Sequence, residues 1–322
     1  MEVELSGRVL LEKSGQCGKT TVPARKLFDI CKNLPEGSTI KFQQKADKLA
    51  VQCGRARFNL ATLPASDFPC AQDFAQAPAT PLEFTFSQKA LRDLIEATNF
   101  AMAQQDVRYY LNGMLWEIEK GRLRMVATDG HRLALSLKEG DILEENQVIV
   151  PRKAIYELSR LLTEDDEMLT VSLSMNQLRV IMPNYIFSSK LIEGKFPDYG
   201  RMIPQRGNRI LEVERDTFKS SLIRVGILSN DKNKSICLEL KDNILRIFTN
   251  NFDKTDAAED QIEVNYQGEP LTIVFNMMYL IDVLTSLPAG TVRMTMNSHN
   301  EGVRIESPQD ISSVHVVMPM HL

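Results

Sequence analysis

Residues 22–42 read VPARKLFDICKNLPEGSTIKF, and the same plan returns twice, as VPRKAIYELSRLLTEDDEMLTVSL at 150–173 and FNMMYLIDVLTSLPAGTVRMTM at 275–296. Each copy predicts a short helix, a turn and two strands, followed by a break near proline. Internal repetition of this kind indicates an architecture built from similar modules.

The helical part of each copy carries apolar residues spaced three, four or seven apart, which predicts an amphipathic helix with one face on a core. These residues are Leu27, Ile30 and Leu34 in the first copy, Ile155, Leu158, Leu161 and Leu162 in the second, and Leu280, Leu284 and Leu287 in the third. The following stretches alternate, as at residues 39–42 and 179–181, which is typical of a sheet buried on one side.

A second type of unit occurs twice, as FSQKALRDLIEATNFAMA at 86–103 and RDTFKSSLIRVGILSN at 215–230, each followed by two strand-like stretches. We expect Ser87 and Asp216 to cap the two helices. Hairpin turns are expected at residues 120–121 and 242–243. With B for the first type and A for the second, the order is B, A, B, A, B; chance similarity among amphipathic α+β segments is the alternative.

The composition is that of a globular protein with a net charge of −4, which argues against bulk attraction to nucleic acid but permits one basic surface. No apolar run is long enough for a membrane span, and the N-terminus lacks the pattern of a signal peptide, so we expect a cytoplasmic protein without membrane contact. Five cysteines without a C-x-x-C pair predict buried free thiols. We expect no metal site and no cofactor.

Six phrases occur in an order that resembles the bacterial sliding clamps, the family of the beta subunit of DNA polymerase III. They are TTVPARKLFDICKNLPEG (20–37), RFNLATLPASDFP (57–69), QDVRYYLNGM (105–114), VATDGHRLAL (126–135), SKLIEGKFPDY (189–199) and VVMPMHL (316–322). The resemblance implies a non-enzymatic α+β protein of three repeated clamp domains, with helices lining a central hole and sheets outside.

That family has an A and a B half in each domain, whereas only five halves are found here. The predicted domains are a truncated clamp domain I at residues 1–78, domain II at 79–209 and domain III at 210–322. An internal start, a misassigned start and a deliberate truncation remain open as reasons.

The resemblance implies a processivity factor that encircles double-stranded DNA and slides on it, which requires weak contacts with the phosphate backbone. The residues expected at the DNA are Arg25, Lys26, Lys32, Gln105, Tyr109, Tyr110, Arg152, Lys153 and Arg160. Solvated surface charges, and strand packing for the tyrosine pair, are the alternatives.

The resemblance also implies a groove for the clamp-binding motifs of DNA polymerase subunits, the clamp loader and other partners. Its expected residues are Leu111, Thr128, Gly130, His131, Arg132, Leu133, Pro197, Arg201, Met202, Asn276, Tyr279, Val316, Val317, Met318, Pro319, Met320, His321 and Leu322. Flexible methionines let one groove accept several peptides. His321 stands where the family commonly has arginine, which is expected to weaken peptide contacts; the alternative for VVMPM is a last buried strand.

The family forms a head-to-tail homodimer ring, and the resemblance assigns the interface to Arg55, Arg57, Phe58, Leu60, Ile227, Leu228, Asp256, Glu259 and Asp260. Apolar contacts are expected to supply affinity and charge pairs to set the register. With half of domain I lacking, we expect a weakened or altered dimer.

Two rival functions remain. Asp129 and His131 lie close together as in an acid–base pair, but no G-x-S-x-G motif accompanies them, which disfavours a hydrolase. Gly18-Lys19-Thr20 lacks the first glycine of a phosphate loop. A β-rich interaction scaffold that does not bind DNA is the other alternative.

Overall fold

The computed structural model describes residues 2–11, 15–68, 81–205, 207–229, 234–249 and 257–320. The chain divides into two compact units, one of Arg8–Phe74 and one of Glu2–Gly7 with Ala75–Leu322. Within the described ranges, no helix is both long and apolar enough to cross a membrane.

The described part of the chain contains five α-helices and 21 strands. The helices are α1 Ala24–Lys32, α2 Gln88–Glu96, α3 Arg152–Leu161, α4 Arg215–Gly226 and α5 Met277–Ser286. The strands are β1 Val3–Gly7, β2 Lys41–Lys45, β3 Lys48–Cys53, β4 Ala56–Ala61, β5 Leu82–Ser87, β6 Gly113–Glu119, β7 Arg122–Thr128, β8 Arg132–Glu139, β9 Asn146–Pro151, β10 Met168–Leu173, β11 Gln177–Ile181, β12 Tyr185–Lys190, β13 Arg209–Glu214, β14 Ser235–Lys241, β15 Ile244–Thr249, β16 Glu259–Glu263, β17 Asn265–Gln267, β18 Leu271–Asn276, β19 Thr291–Met296, β20 Val303–Ser307 and β21 Asp310–Val317.

The repeated module is a helix followed by an antiparallel meander of three strands. The meanders are β2-β3-β4 after α1, β6-β7-β8 after α2, β10-β11-β12 after α3, β14-β15-β16 after α4 and β19-β20-β21 after α5. The prediction of two strands per copy was therefore wrong by one, since each copy has a third strand: β4, β8, β12, β16 or β21.

Local signals for turns and caps were largely correct. Ser87 is the N-cap of α2, and its hydroxyl accepts the N–H of Ala90. Asp242 and Asn243 both have positive φ, 53° and 61°, as a tight hairpin turn requires. The predicted cap Asp216 was wrong: the carboxylate of Glu214 caps α4 by accepting two backbone N–H groups, and Asp216 lies in the first turn.

The first unit has a thin core. Its fully buried apolar cluster consists of Leu49, Val51 and Leu60, all on the sheet β2-β3-β4. Leu27 and Ile30 of α1 pack against this cluster, but no residue of α1 is itself fully buried. The helix is therefore held by one half-buried face. The prediction of buried thiols was wrong for Cys17 and Cys31, which are exposed, and correct for Cys53 and Cys237.

The second unit has one core under each of its two helix pairs. One core packs α2 and α3 against β5–β12 around the buried Trp116, and the other packs α4 and α5 against β13–β21 around Phe218. A nine-stranded sheet in the order β17-β13-β19-β20-β21-β8-β7-β6-β9 runs through both parts. The β21–β8 pairing joins them, with Val316 opposite Leu133.

The face of this sheet opposite the α2 and α3 core carries a third apolar cluster. Side chains alternate across a strand, so Trp116 points to the helices while Leu115 points to the other face. The third cluster holds Ala103, Leu111, Leu115, Val126, Leu133, Leu135, Ile149, Phe196 and Val316. It contains predicted groove residues from three distant stretches of sequence.

Candidate functional site

A tight turn between β7 and β8 brings the predicted groove residues of the second domain together. The Thr128 hydroxyl donates to the Arg132 carbonyl at 2.6 Å and accepts the Gly130 N–H at 3.1 Å. Gly130 has φ of +89°, and a Cβ there would lie 3.1 Å from the guanidinium of Arg108. Glycine is therefore required at this position. Thr128 is only 1% exposed, so its side chain builds the turn and does not line the groove surface.

Arg132 fastens the second domain to α5 of the third. Its guanidinium forms ion pairs with Asp129 and Asp282 and donates to the Phe100 carbonyl at 2.7 Å. The same group lies 4.5 Å from the ring centroid of Tyr279 and 5.3 Å from that of Phe100. The Arg132 side chain is only 11% exposed, so it serves these contacts within the chain and has little surface left for a ligand.

His131 and Tyr279 form the polar end of the groove. His131 is exposed and its ring stacks on Tyr279 with centroids 6.4 Å apart. Burial raises the pKa of Tyr279. With Arg132 they line a cavity of about 320 Å³, which also contacts the predicted DNA residue Arg152.

The apolar predicted residues form a floor that is closed to solvent. Leu111, Leu133 and Val316 are each at most 2% exposed and belong to the third apolar cluster. Val317 points to the opposite side, into the core of the third domain. A ligand contacts the first three only if a covering side chain moves.

The rim of this floor comes from the C-terminal end of the third domain. Met318 is 36% exposed, and its N–H donates to the His131 carbonyl at 2.8 Å. Met320 donates its N–H to the Val274 carbonyl at 2.8 Å, while Pro319 between them is half-buried. The predicted residues His321 and Leu322 lie outside the described residues.

The remaining predicted groove residues lie on the segment before β13 and at the start of α5. Pro197 and Met202 are half-buried, and Met202 packs against the third cluster. Arg201 is 88% exposed and pairs with Asp198. The Asn276 side chain accepts the Met278 N–H as the cap of α5.

Sequence reasoning missed two residues that shape the groove. A Cβ on Gly302 would lie 2.9 Å from Val316 Cγ1 and 3.0 Å from Met318 Sδ, so the absence of a side chain at Gly302 leaves space for the Met318 side chain. Tyr199 packs against the third cluster and hydrogen-bonds to the sheet beneath it. Neither residue has a local signal, because both act through contacts with remote strands.

The predicted DNA residues occupy equivalent places on α1 and α3. Counting from Pro23 and Pro151, which precede the two helices, Arg25 corresponds to Lys153 and Lys32 to Arg160. All four are exposed. Arg25 and Arg160 pair with acids on their own helices at 3.3 and 3.4 Å. Such exposed pairs contribute about 0–1 kcal/mol, so a phosphate can replace the acid.

A second cavity collects the loop residues predicted at the DNA. Gln105, Tyr109, Arg152 and Lys153 all line a space of about 680 Å³. Gln105 adopts φ of +56°, a left-handed conformation that is costly for a residue with a side chain. Tyr110 differs, because it packs on the third apolar cluster while its ring meets that of Tyr109 edge-on at 5.7 Å. Lys26 is exposed on α1 of the first unit.

The predicted interface residues lie at two sheet edges. Arg57, Phe58 and Leu60 are on β4, the edge strand of the first unit's sheet, and Arg55 directly precedes it. Phe58 is half-buried and Leu60 is 6% exposed, so Leu60 belongs to the unit's own core instead of a free surface.

The other edge is β16, with Glu259 and Asp260. Both acids have partners in the chain: Glu259 accepts from Arg246 at 2.6 Å, and Asp260 accepts from Arg224 and from the Ser221 hydroxyl at 2.8 Å. Beside them, Ile227 is 77% and Leu228 39% exposed after α4. Asp256 lies outside the described residues.

The proposed acid–base pair is not arranged for catalysis. Asp129 accepts the backbone N–H groups of His131 and Arg132 with one oxygen and the Arg132 side chain with the other. The His131 ring stacks on Tyr279 and not on this carboxylate. The aspartate therefore holds the turn.

Comparison with known proteins identifies the family. Models for the DNA polymerase III beta subunit match the N-terminal domain at residues 1–72, the central domain at 85–198 and the C-terminal domain at 200–321. The chain belongs to the DNA polymerase III beta subunit family. The beta sliding clamp of Escherichia coli (strain K12) is 45% identical over 323 residues, which cover 100% of this chain and 87% of the relative.

Solved structures of this family confirm the three-domain clamp fold. The DNA polymerase III subunit beta of Pseudomonas aeruginosa superposes with a TM-score of 0.95 at 46% identity, covering 100% of this chain and 87% of the other. A sliding clamp from the same organism, bound to griselimycin, has a TM-score of 0.95 at 45% identity, with 100% and 86% covered. The predicted truncation of the first domain is not supported, because the N-terminal model matches residues 1–72 and all three domains are represented.

Proposed function

We propose that this chain is a sliding clamp, a processivity factor that encloses duplex DNA and tethers a polymerase to it, without enzymatic activity of its own. The ordered match to all three domains of the beta subunit family carries this conclusion. The proposed domain limits are residues 1–78, 79–209 and 210–322. We also propose a cytoplasmic location, because a protein that encloses DNA must reach it there.

The DNA contacts are proposed at Arg25, Lys32, Lys153 and Arg160 on the two equivalent helices, and further contacts at Lys26, Arg152, Gln105, Tyr109 and Tyr110. Repetition of cations at matching helix positions supports this assignment. Long exposed cations reach phosphates without reading bases, which suits a protein that must move along any sequence.

The peptide groove is proposed at the junction of the second and third domains. Its support is the apolar cluster that combines Leu111, Leu133 and Val316 with the methionine rim. An apolar floor with a few oriented polar groups is the usual form of a peptide or small-molecule site. A family member binds griselimycin, so the fold accepts a ligand.

The homodimer is proposed to form by pairing of edge strands, with β4 of one protomer beside β16 of its partner. Edge strands present unpaired backbone groups that readily add another strand. Ile227 and Leu228 supply the exposed apolar surface next to β16. Arg55 and Arg57 are positively charged opposite the acidic β16, which fixes direction.

Retention on DNA tests the clamp function. The chain is loaded on nicked circular DNA by a clamp loader of a family relative, and the DNA is then linearised. A clamp stays on the circle and slides off the linear form, whereas a scaffold unrelated to DNA is retained on neither. Equal retention on both forms would refute enclosure.

Two matched pairs of variants localise the contacts. Lys32→Glu with Arg160→Glu is expected to lower loading at 150 mM salt about tenfold, while Lys241→Glu, at an exposed lysine 65% accessible on β14, leaves it unchanged. In sedimentation, Ile227→Glu is expected to shift the chain towards monomer. Ile311→Glu, at an apolar side chain 85% exposed on β21, serves as the control.

A further inference from the structure

Tyr199 lies on the segment 196–203, which connects the second and third domains and carries Pro197, Arg201 and Met202. Its ring packs against the apolar cluster that forms the floor of the proposed groove. Its hydroxyl reaches past that floor to polar groups on the sheet. The same side chain thus contacts both the groove floor and the strands that support it.

The hydroxyl belongs to a hydrogen-bond network of half-buried charged side chains. It donates to Glu117 Oε2 at 2.5 Å and accepts from Arg124 Nη1 at 3.1 Å. Arg124 also forms an ion pair with Glu117 and donates to Glu119 at 2.8 Å. Gln147 completes the set by donating to Glu117 Oε1 at 2.6 Å. Side chains from strands β6, β7 and β9 therefore form one hydrogen-bond network with the Tyr199 hydroxyl.

The charged pair at the centre of the network is partly shielded from water, whereas Gln147 is exposed. The side chains of Arg124 and Glu117 are 17% and 13% exposed. Burial, together with the hydrogen bond to Glu117, raises the pKa of Tyr199 to about 12. The hydroxyl consequently keeps its proton and remains a donor at all ordinary pH values. A hydrogen bond to a charged group in such surroundings is stronger than one in water.

Apolar packing of Phe196, Met202 and Ile203 against the third cluster also holds the segment. Between residues 193 and 205, the other hydrogen bonds to described residues are local: Arg201 with Asp198, Ile203 with Gly200 and the Gln205 side chain with Ile203. Phe196 is buried in the apolar cluster, but an apolar contact does not fix direction. Tyr199 is the oriented attachment of this segment to the sheet.

We propose that Tyr199, through Glu117 and Arg124, is a positioning residue. It fixes the position of residues 196–203, which form one wall of the peptide groove. It does not touch the ligand itself. It holds Pro197, Arg201 and Met202 at a fixed distance from the Met318 rim, so this wall is preformed and a ligand does not have to order it. This inference rests on the proposed peptide-binding function.

The test compares Tyr199→Phe with Tyr185→Phe, a matched loss of one hydroxyl from a tyrosine 45% exposed on β12. The probes are griselimycin and a fluorescent peptide carrying a polymerase clamp-binding motif. We expect Tyr199→Phe to raise Kd about tenfold through faster dissociation, and Tyr185→Phe to match the wild type. Glu117→Gln is expected to act like Tyr199→Phe, and the double variant to be no worse than either alone.

Hydrogen exchange separates positioning from general loss of structure. In Tyr199→Phe, amides of residues 196–203 are expected to exchange faster while those of α2 and α5 keep their protection, and bound griselimycin is expected to restore it. Faster exchange throughout the domain, or unchanged Kd for Tyr199→Phe while the wild type binds, would overturn the positioning role alone. A wild type that binds neither probe would overturn the proposed groove as well.

Discussion

His315 is a buried histidine whose titration should make the junction of the second and third domains sensitive to acid. It is 0% exposed on β21, and its Nε2 lies 3.2 Å from the Ala97 carbonyl and 3.3 Å from the Ser286 hydroxyl. Its ring stacks on Phe100 at 5.8 Å. Burial lowers the pKa of His315 from 6.5 to about 4, against smaller opposing contributions that include the charge of Asp310.

The sign follows from proton binding. Above pH 6.5 the histidine is neutral in the folded and unfolded chain, and it costs nothing. Between pH 6.5 and about 4, His315 is protonated in the unfolded chain but stays neutral in the folded chain, so the free energy of unfolding falls as the pH falls. A pKa difference of about 2.5 units, at about 1.4 kcal/mol per unit, amounts to about 3.5 kcal/mol when titration is complete, of which about 3 kcal/mol is lost by pH 4.

Urea unfolding from pH 7.5 to 4, followed by fluorescence of the buried Trp116, measures this loss. Carboxylates with lowered pKa, such as Asp310, also destabilise the protein in acid, so the comparison must be differential. His315→Gln is expected to lose about 3 kcal/mol less than wild type over this range. His299→Gln, at an exposed position, should follow the wild type. Identical pH slopes for His315→Gln and wild type would show that the burial argument is wrong.

Three further substitutions test local contacts. Arg132→Met removes the partner of Asp282 and should lower the free energy of unfolding by about 2 kcal/mol. This is less than the cost of breaking a fully buried ion pair, because the Asp282 side chain is 35% exposed. An unchanged urea midpoint would contradict this. Gly302→Ala should displace Met318 and weaken griselimycin binding several-fold in calorimetry without a change in fold by circular dichroism; wild-type affinity would exclude the contact. Ser87→Ala should cost about 1 kcal/mol because α2 loses its cap, while Ser87→Gly should cost only a few tenths; equal costs would reject the capping role.

Short-range features of the fold could be predicted from the sequence. The five helices, the hairpin turn at Asp242-Asn243 and the cap at Ser87 depend on spacing within a few residues, which the sequence displays directly. The repeat was visible for the same reason. The cap of α4 was misplaced because Glu214 and Asp216 both carry carboxylates near the helix start, and only the backbone conformation selects Glu214.

Only the tertiary structure decided which of the predicted site residues meet and what each one does. Pairing of β21 with β8 places Val316 opposite Leu133, although 183 residues separate them in the numbering. Leu133 and Val316 are buried together at this junction, where Arg132 forms an ion pair with Asp282. The fold also brings Tyr199 within hydrogen-bond distance of side chains on β6 and β7. Strand register between distant modules depends on which faces are buried together, and no local pattern records that choice.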